Sequence, residues 1–139
     1  MSLVCIMSMN VRGLFSNVKK RADVFDWAKD RSCSIVCVQE THSSKEAEKL
    51  WSDEWGGKCF YSHYNNRSAG VCIMFKNDIE YEVRDSYSDD NGRYIVFDLS
   101  LYKQRLTFLC LYGYNRDAPF LFNDIFQKKI LNIMQTPPF

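Results

Sequence analysis

Polar residues capable of metal and acid–base chemistry stand at the ends of three apolar segments of this sequence. Asn10 follows the first segment, Glu40 and His42 follow the second in "SIVCVQETH", and Tyr112 and Asn115 follow the third. In layered α/β proteins, sites commonly form where strands end and loops begin. If these three ends meet, they gather amides, a carboxylate, an imidazole and a phenol around one crevice.

Glu40 is the only carboxylate of this set, and its oxygens are hard ligands that suit Mg²⁺ or Mn²⁺. Mg²⁺ commonly takes one or two protein carboxylates together with substrate phosphates. An amide such as Asn10 can orient a phosphate, and a phenol such as Tyr112 can donate a hydrogen bond to a phosphate oxygen. The set is therefore typical of metal-assisted phosphoester hydrolysis.

Each of these residues also has an ordinary structural interpretation, which stays open for the residue taken singly. A glutamate after a strand is usually solvated, an asparagine there can form a turn, and Tyr112 can be a core residue with its hydroxyl at the edge. His42 can simply cap the next helix. Other chemistries find less support, because a cysteine nucleophile needs a paired histidine and the sequence contains neither GxxxxGK[ST] nor GxGxxG.

The elements that must position these residues alternate between strand-like and helix-like patterns. Helical spacing of Val18, Ala22, Phe25 and Lys29 predicts a helix over 18–31. Ser43 with Glu46 predicts a second helix with a capping box, and Asn91-Gly92 predicts a tight hairpin with left-handed central residues. A third helix is predicted after Pro119, and strands are predicted at 3–9, 34–38, 59–64, 69–75, 79–87, 94–101 and 105–112. The chain reads as one strand-rich α/β (α+β) unit.

Composition indicates the cellular compartment of the protein but says little about its binding partners. The chain has 139 residues, a formal net charge of +1 and six cysteines without a CxxC pair. Most cysteines lie in apolar segments, which is typical of buried thiols in a reducing, intracellular compartment. No apolar run reaches the length of a bilayer span, so no membrane partner is expected. The nearly balanced charge favours neither nucleic acid nor membrane.

Five motifs in a fixed order give the sequence a family resemblance. They are "SMNVRGL", "VCVQETH", "SAGVCIMF", "NGRYIVFDLSL" and "LTFLCLYGYN". Together they resemble the endonuclease/exonuclease/phosphatase superfamily, and within it the apurinic-type endonuclease domain of non-LTR (LINE-like) retrotransposons. This resemblance implies a four-layer α/β/β/α sandwich of mixed, mostly antiparallel sheets flanked by helices. It also implies magnesium-dependent nicking of DNA that leaves a 3′-hydroxyl for reverse transcription.

The resemblance implies a role for each candidate site residue. Glu40 matches the metal-binding glutamate, which would hold Mg²⁺ or Mn²⁺. Asn10 matches an asparagine that binds the phosphate, and Tyr112 matches a tyrosine that contacts the scissile phosphate. Asn115 matches the asparagine that shapes the loop after this tyrosine, and His42 is similar to the histidine that supports the glutamate in the retrotransposon branch.

The implied substrate is DNA, and the implied partner is the reverse transcriptase of the same polyprotein in the nucleus. Arg12 stands where repair endonucleases of this superfamily carry an acidic residue that assists the metal. A cation there is unsuited to binding a metal, so Arg12 becomes a candidate contact to DNA phosphates, as do Arg67 and Arg93.

Two later family motifs, "G-D-F-N" and serine-aspartate-histidine, have no match in residues 1–139. These supply the aspartate that activates water and the histidine that stabilises the transition state. We therefore expect a single partial domain, the N-terminal half, that is inactive alone and self-associates through an apolar sheet face left without its partner. Two alternatives stay open: another phosphodiesterase of this fold, such as an abasic-site repair nuclease or a lipid or phosphoinositide phosphatase, and a non-catalytic relic or binding scaffold.

Overall fold

The computed structural model of the protein describes residues 4–112, 123 and 125–135. Within them, the chain forms two β-sheets that pack face to face, with helices on the outer face of each sheet. This layering confirms the predicted α/β sandwich. Among the described residues, no helix combines the length and apolarity that crossing a bilayer requires.

Sheet I carries the ends of the first two apolar segments. It contains four strands, β1 (Ile6–Asn10), β2 (Ile35–Gln39), β3 (Cys59–Ser62) and β4 (Val71–Phe75), in the order β1-β2-β4-β3. β1 and β2 run parallel, whereas β4 runs antiparallel to both of its neighbours. The sheet is therefore mixed and mostly antiparallel, as predicted.

Helices α1 (Val18–Asp30) and α2 (Glu48–Trp55) cover the outer face of sheet I. Asn17 caps α1, since its side-chain oxygen accepts a 3.0 Å hydrogen bond from the Lys20 amide. The helices bury large apolar side chains against alternate residues of the strands. Burial of each such side chain stabilises the fold by about 1.5–3 kcal/mol. These contacts involve Phe25, Trp51, Trp55, Val36, Val38, Cys72 and Met74.

The buried face of α1 differs from the predicted stripe. Arg21, Phe25 and Ala28 are buried, whereas Val18 is 64% exposed. A short 3-10 turn, Lys45–Ala47, precedes α2, and Ser43 does not cap it. The predicted capping box is therefore wrong, because the Ser43 hydroxyl is engaged elsewhere.

Sheet II is an antiparallel meander of β5 (Tyr81–Ser88), β6 (Tyr94–Leu101) and β7 (Gln104–Leu111). The tight turn in this sheet lies at Tyr102-Lys103, where φ is 48° and 67°, and not at Asn91-Gly92. The β5–β6 connection spans residues 89–93, and of Asn91 and Gly92 only Gly92 has a positive φ. The hairpin is confirmed, but its predicted two-residue form is wrong.

The two sheets share a core that closes most of the space between them. On sheet I, Ile35, Val71, Ile73 and Phe75 are fully buried against residues of sheet II that include Ile95, Phe97 and Leu99. On the outer face of sheet II, Ile125, Ile130 and Ile133 pack against Tyr94 and Val96. These three isoleucines belong to the last described segment, with a π-helical turn (Phe126–Ile130) and helix α3 (Leu131–Gln135). Pro119 lies outside the described residues.

The apolar sheet face that the sequence analysis left uncovered is largely covered by sheet II. That expectation is therefore wrong for β2 and β4. It holds only at the edge, because the register places Ile6, Ser8 and Asn10 on the same face as Ile35, and these three residues are exposed. Ile6 itself is 49% exposed.

An ion pair between a buried arginine and a partly exposed glutamate fastens α1 to α2. The Arg21 Nε lies 2.7 Å from Glu54 Oε2, and Arg21 Nη2 donates to Glu54 Oε1 at 2.9 Å. Arg21 Nη1 also donates to the Leu14 carbonyl oxygen at 3.2 Å. The Arg21 side chain is 3% exposed, so its charge depends on this partner. The same hydrogen bonds lower the pKa of the Glu54 carboxyl, against an opposing effect of burial.

We predict that Glu54→Ala lowers the free energy of unfolding by about 3 kcal/mol, because it strands a buried guanidinium. The neighbouring Asp53→Ala removes the same charge from an exposed pair with Lys49 and should cost far less. Urea unfolding monitored by circular dichroism measures both variants. Equal losses would show that the Arg21 pair contributes no more than a surface contact.

The Glu54 contribution should depend on pH. It is fully present above the ordinary carboxyl pKa of 4.5 and is lost as the pH falls through the lowered folded-state pKa. The difference in stability between the native chain and Glu54→Ala should therefore shrink on acidification. A difference that stays constant in acid would contradict this assignment.

Candidate active site

Asn10 and Glu40 lie at the same edge of sheet I because they end or follow two parallel neighbours. Asn10 is the last residue of β1 and pairs in register with Gln39, the last residue of β2. The Val11 amide then donates to the Gln39 carbonyl oxygen at 3.0 Å. Glu40 follows Gln39 directly, so the side chains of Asn10 and Glu40 lie at neighbouring positions at this end of the sheet.

Tyr112 comes to the same end of the molecule from sheet II. Gln39 Nε2 lies 3.6 Å from the sulfur of Cys110, two residues before Tyr112. The Tyr112 amide donates to the Arg93 carbonyl oxygen at 2.7 Å, and the Gly70 amide donates to the Gly92 carbonyl oxygen at 2.9 Å. Tyr112 is thus tied, through the β5–β6 connection, to the Ala69–Gly70 loop that contacts the Glu40 segment. Asn115 lies outside the described residues.

Tyr112 lines an open cleft of about 430 Å³. The described lining residues are Tyr64, Ser68, Ala69, Asn91 and Tyr112. Asn10 and Glu40 are not part of this lining. The cleft and the Glu40 carboxylate therefore occupy adjoining regions of one end of the sandwich rather than a single closed pocket.

The loops at this end hold several non-glycine residues in the left-handed backbone region. The φ angles are 50° at Arg12, 57° at Glu40, 49° at His42 and 56° at Ala69. Such angles are unfavourable for residues with a Cβ and persist only where surrounding contacts enforce them. Concentrated backbone strain of this kind is characteristic of functional sites.

Backbone hydrogen bonds on both sides enforce the strained segment that contains Glu40. The Gly13 amide donates to the Glu40 carbonyl oxygen at 2.7 Å, and the Leu14 amide donates to the Thr41 carbonyl oxygen at 2.9 Å. On the other side, the His42 amide donates to the Ala69 carbonyl oxygen at 2.9 Å. The segment is therefore clamped between the loops that follow β1 and precede β4.

The Glu40 carboxylate stays accessible while its backbone is fixed. Glu40 Oε1 lies 3.8 Å from His42 Nε2, and the two side chains are 24% and 22% exposed. Gly13 gives the imidazole its room, since a Cβ there would lie 2.7 Å from His42 Nδ1. In the described part of the chain, no three His, Cys, Asp or Glu residues cluster to hold a metal. A divalent ion at Glu40 would therefore rely on one carboxylate with substrate oxygens, which fits the habit of Mg²⁺.

The three candidate DNA-contacting arginines have different surroundings. Arg12 is exposed beside Asn10, whose side-chain oxygen accepts the Arg12 amide at 3.2 Å. Arg67 is exposed in the β3–β4 loop, on a turn held by Asn65 Oδ1. Arg93 Nε and Nη2 donate to the Asp89 carboxylate at 2.6 and 2.8 Å, so part of its donor capacity is already used.

Beneath the Glu40 segment runs a chain of polar side chains that the sequence analysis missed. Thr41 Oγ1 lies 2.8 Å from Ser43 Oγ, and Ser43 Oγ lies 2.8 Å from His63 Nδ1. His63 Nε2 lies 3.0 Å from Glu48 Oε2, at the start of α2. Thr41 and Ser43 have no exposed surface, so Ser43 is not an accessible nucleophile. We call this set the Thr41–Glu48 relay.

Burial lowers the pKa of the His63 imidazole, and hydrogen bonding to Glu48 offsets only part of this effect. The folded protein therefore disfavours the proton on His63 relative to the unfolded chain. Stability from this group is present above the ordinary pKa of 6.5 and is lost as the pH falls toward the lowered folded-state pKa.

We predict that the native chain loses stability as the pH falls below about 6.5 and that His63→Asn loses less on the same acidification. The substitution removes the group that must take up a proton on unfolding. Urea unfolding measured across this pH range tests the difference. Parallel stability curves for the two proteins would contradict the inferred direction of the pKa shift.

Close packing of Gly70 against Thr41 generates a second prediction. A Cβ at Gly70 would overlap Thr41 Oγ1, and φ there is +97°. Gly56 has φ of +83° with nothing near its missing Cβ, so Gly56→Ala should lose only the roughly 1–2 kcal/mol that the backbone angle costs. Gly70→Ala should lose about 1–3 kcal/mol more, because the buried loop cannot move aside freely. Thermal unfolding of both variants would refute this account if their losses were equal.

Comparison with known proteins agrees with the motif resemblance. A model of the endonuclease/exonuclease/phosphatase family matches residues 7–137. The transposon TX1 uncharacterized 149 kDa protein of Xenopus laevis is 31% identical over 88 residues, which are 63% of this chain and 7% of that protein.

Solved structures of low sequence identity share the fold. The endonuclease domain of TRAS1, a telomere-specific non-LTR retrotransposon, matches with a TM-score of 0.61 at 13% identity, covering 91% of this chain and 54% of that chain. The AP endonuclease LMAP from Leishmania major gives 0.61 at 16% identity, covering 92% and 45%. A family protein from Bacteroides thetaiotaomicron gives 0.64 at 12% identity, covering 98% and 60%.

This chain spans only about half the length of these solved structures. The family model nevertheless covers almost the whole sequence, and the two facing sheets with outer helices provide the fold. This chain belongs to the endonuclease/exonuclease/phosphatase family.

Proposed function

We propose that this chain is the metal- and phosphate-binding part of a retrotransposon-type endonuclease domain that nicks DNA. The observation that carries the proposal is the placement of the Glu40 carboxylate. It is accessible, fixed in a strained loop, and set at the same end of the sandwich as Asn10 and Tyr112. Relatives that include a transposon protein and an endonuclease domain of a retrotransposon support the substrate class.

In this proposal each residue acts on a phosphodiester of the DNA backbone. Glu40 holds Mg²⁺ or Mn²⁺, and such an ion supplies positive charge that offsets the charge developing on the phosphate oxygens. Asn10 orients the phosphate through its amide, and Tyr112 donates a hydrogen bond to a phosphate oxygen. His42 stays beside Glu40 and restricts the carboxylate, while Asn115 shapes the loop that follows Tyr112.

Contacts to the remaining DNA backbone would come from cations around this end of the molecule. Arg12 and Arg67 are exposed in loops next to Asn10 and Ala69, where phosphates can approach them. Arg93 is the third candidate contact, and its Nε and Nη2 donate to the Asp89 carboxylate. Such contacts give affinity that falls with salt and carries little sequence information.

We further propose that these residues form a partial domain, the N-terminal part of the complete endonuclease. The chain spans about half of its solved relatives, and no residue assigned above serves as a general base for water. General-base help is worth roughly 10²–10⁴-fold in rate. The complete domain would work in the nucleus beside the reverse transcriptase of its polyprotein, whereas the isolated chain would nick DNA poorly or not at all.

Binding of Mn²⁺, followed by calorimetry or electron paramagnetic resonance, tests the proposal without requiring turnover. Glu40→Gln should weaken binding by more than the roughly 10-fold that a supporting residue is worth, because it removes the metal-binding charge. Glu46→Gln, an exposed carboxylate six residues further along the chain, is the matched control and should bind as the native chain does. Equal binding by Glu40→Gln and the native chain would reject Glu40 as the ligand.

A plasmid assay tests the activity itself. With Mg²⁺, the isolated chain should leave supercoiled plasmid largely intact. Robust nicking that Glu40→Ala abolishes would overturn the proposed inactivity of the isolated chain while supporting the nuclease assignment. An abasic duplex belongs in the same assay, since an AP endonuclease shares the fold. Selective cleavage of that duplex would replace the retrotransposon assignment with repair.

A further inference from the structure

The Thr41–Glu48 relay joins three parts of the chain beneath the segment that carries Glu40. Thr41 and Ser43 belong to the loop after β2, His63 follows β3, and Glu48 begins α2. Each link is 2.8–3.0 Å long, so all four side chains are within hydrogen-bond distance of their neighbours. The relay is remote in sequence but continuous in space.

For a neutral His63 ring, donation to the Glu48 carboxylate sets the direction of every proton in the relay. An ionised Glu48 carboxylate can only accept, so His63 Nε2 carries the proton and donates it. His63 Nδ1 is then bare and accepts the Ser43 hydroxyl. Because Ser43 has a single hydroxyl proton, its oxygen must accept from Thr41. One arrangement of hydrogen bonds therefore satisfies the whole chain.

Side chains of residues 40–43 alternate between outward and inward directions, and the relay anchors the inward ones. Thr41 and Ser43 have no exposed surface, whereas Glu40 and His42 are 24% and 22% exposed. The outward pair are the residues with positive φ, at 57° and 49°. If the inward anchors are lost, only the backbone hydrogen bonds to the flanking loops oppose relaxation of these angles, and any relaxation turns the carboxylate with the backbone.

The orientation of the His63 ring is also fixed by an aromatic contact. Tyr61 stacks on it with 5.2 Å between ring centroids and 16° between planes. The Tyr61 hydroxyl donates to the Glu48 carbonyl oxygen at 3.1 Å, so the stacking partner is fixed to the same helix end. The ring therefore presents Nδ1 to Ser43 in a defined direction.

We propose that His63 is a positioning residue for Glu40, acting through Ser43 and Thr41 on the backbone of the metal-binding loop. This inference rests on the proposed function and deepens it by extending the machinery to a residue that follows β3. His63 does not touch metal or substrate in this proposal. It selects the loop conformation in which the Glu40 carboxylate can bind a divalent cation.

Three variants break the relay at different links, and a fourth keeps the link to Ser43. His63→Leu removes both ring nitrogens, Ser43→Ala removes the central hydroxyl, and Thr41→Val removes only the terminal hydroxyl with little change of shape. His63→Asn keeps an acceptor near the position of Nδ1. We expect Mn²⁺ affinity to fall about 10-fold in the three breaking variants and to recover largely in His63→Asn.

Ile73→Val is the control for general loss of stability, because Ile73 is fully buried in the core between the sheets and is not a member of the relay. Its Mn²⁺ affinity should equal that of the native chain. If His63→Leu fails to fold, Ser43→Ala and Thr41→Val carry the test. Unchanged Mn²⁺ affinity in the folded breaking variants would overturn the proposal, as would an equal loss in Ile73→Val.

A second measurement separates this inference from the proposed function. NMR coupling constants and intraresidue amide–Hα NOEs report the sign of φ at Glu40 and His42 without any metal. The positive φ should be lost or averaged in Thr41→Val and retained in Ile73→Val. If Glu40 binds no Mn²⁺ but this conformational change occurs, the metal proposal fails and the positioning role stands. If Thr41→Val keeps both positive φ angles, the positioning role fails whatever the metal result.

Discussion

Backbone hydrogen bonds from two flanking loops hold the segment that contains Glu40 in angles that its own residues disfavour. The loop after β1 donates to the carbonyl oxygens of Glu40 and Thr41, and the Ala69 carbonyl oxygen accepts the His42 amide. These bonds, with the buried hydroxyls of Thr41 and Ser43, oppose the strain of the two left-handed, outward-pointing residues Glu40 and His42. A carboxylate on such a segment keeps its direction without being buried, which a metal ligand requires.

These hydrogen bonds can hold the Glu40 segment because the layered core fixes the strand that precedes it. β2 has sheet II on one face and helices α1 and α2 on the other, so its end has little freedom to shift. The Arg21–Glu54 pair fixes the two helices to each other and reaches the Leu14 carbonyl oxygen in the loop after β1. The outer layer is thus linked directly to one wall of the candidate site.

Incompleteness at one edge distinguishes this chain from a closed sandwich. Ile6 is 49% exposed on the inner face of β1. This open edge adjoins Asn10, so whatever covers it would also approach the candidate site. An accessible carboxylate with one neighbouring imidazole suits a metal whose other ligands come from the substrate.

The sequence by itself determined the elements and the placement of Asn10, Glu40 and Tyr112 at strand ends, since apolar periodicity and turn residues act locally. Only the tertiary structure decided which face of α1 is buried, because Arg21 is buried by a partner 33 residues away. It also placed the tight turn at Tyr102-Lys103, where strand register overrides the weak preference of these residues for left-handed angles. The relay escaped prediction for the same reason: hydrogen bonds between side chains distant in sequence leave no periodic trace.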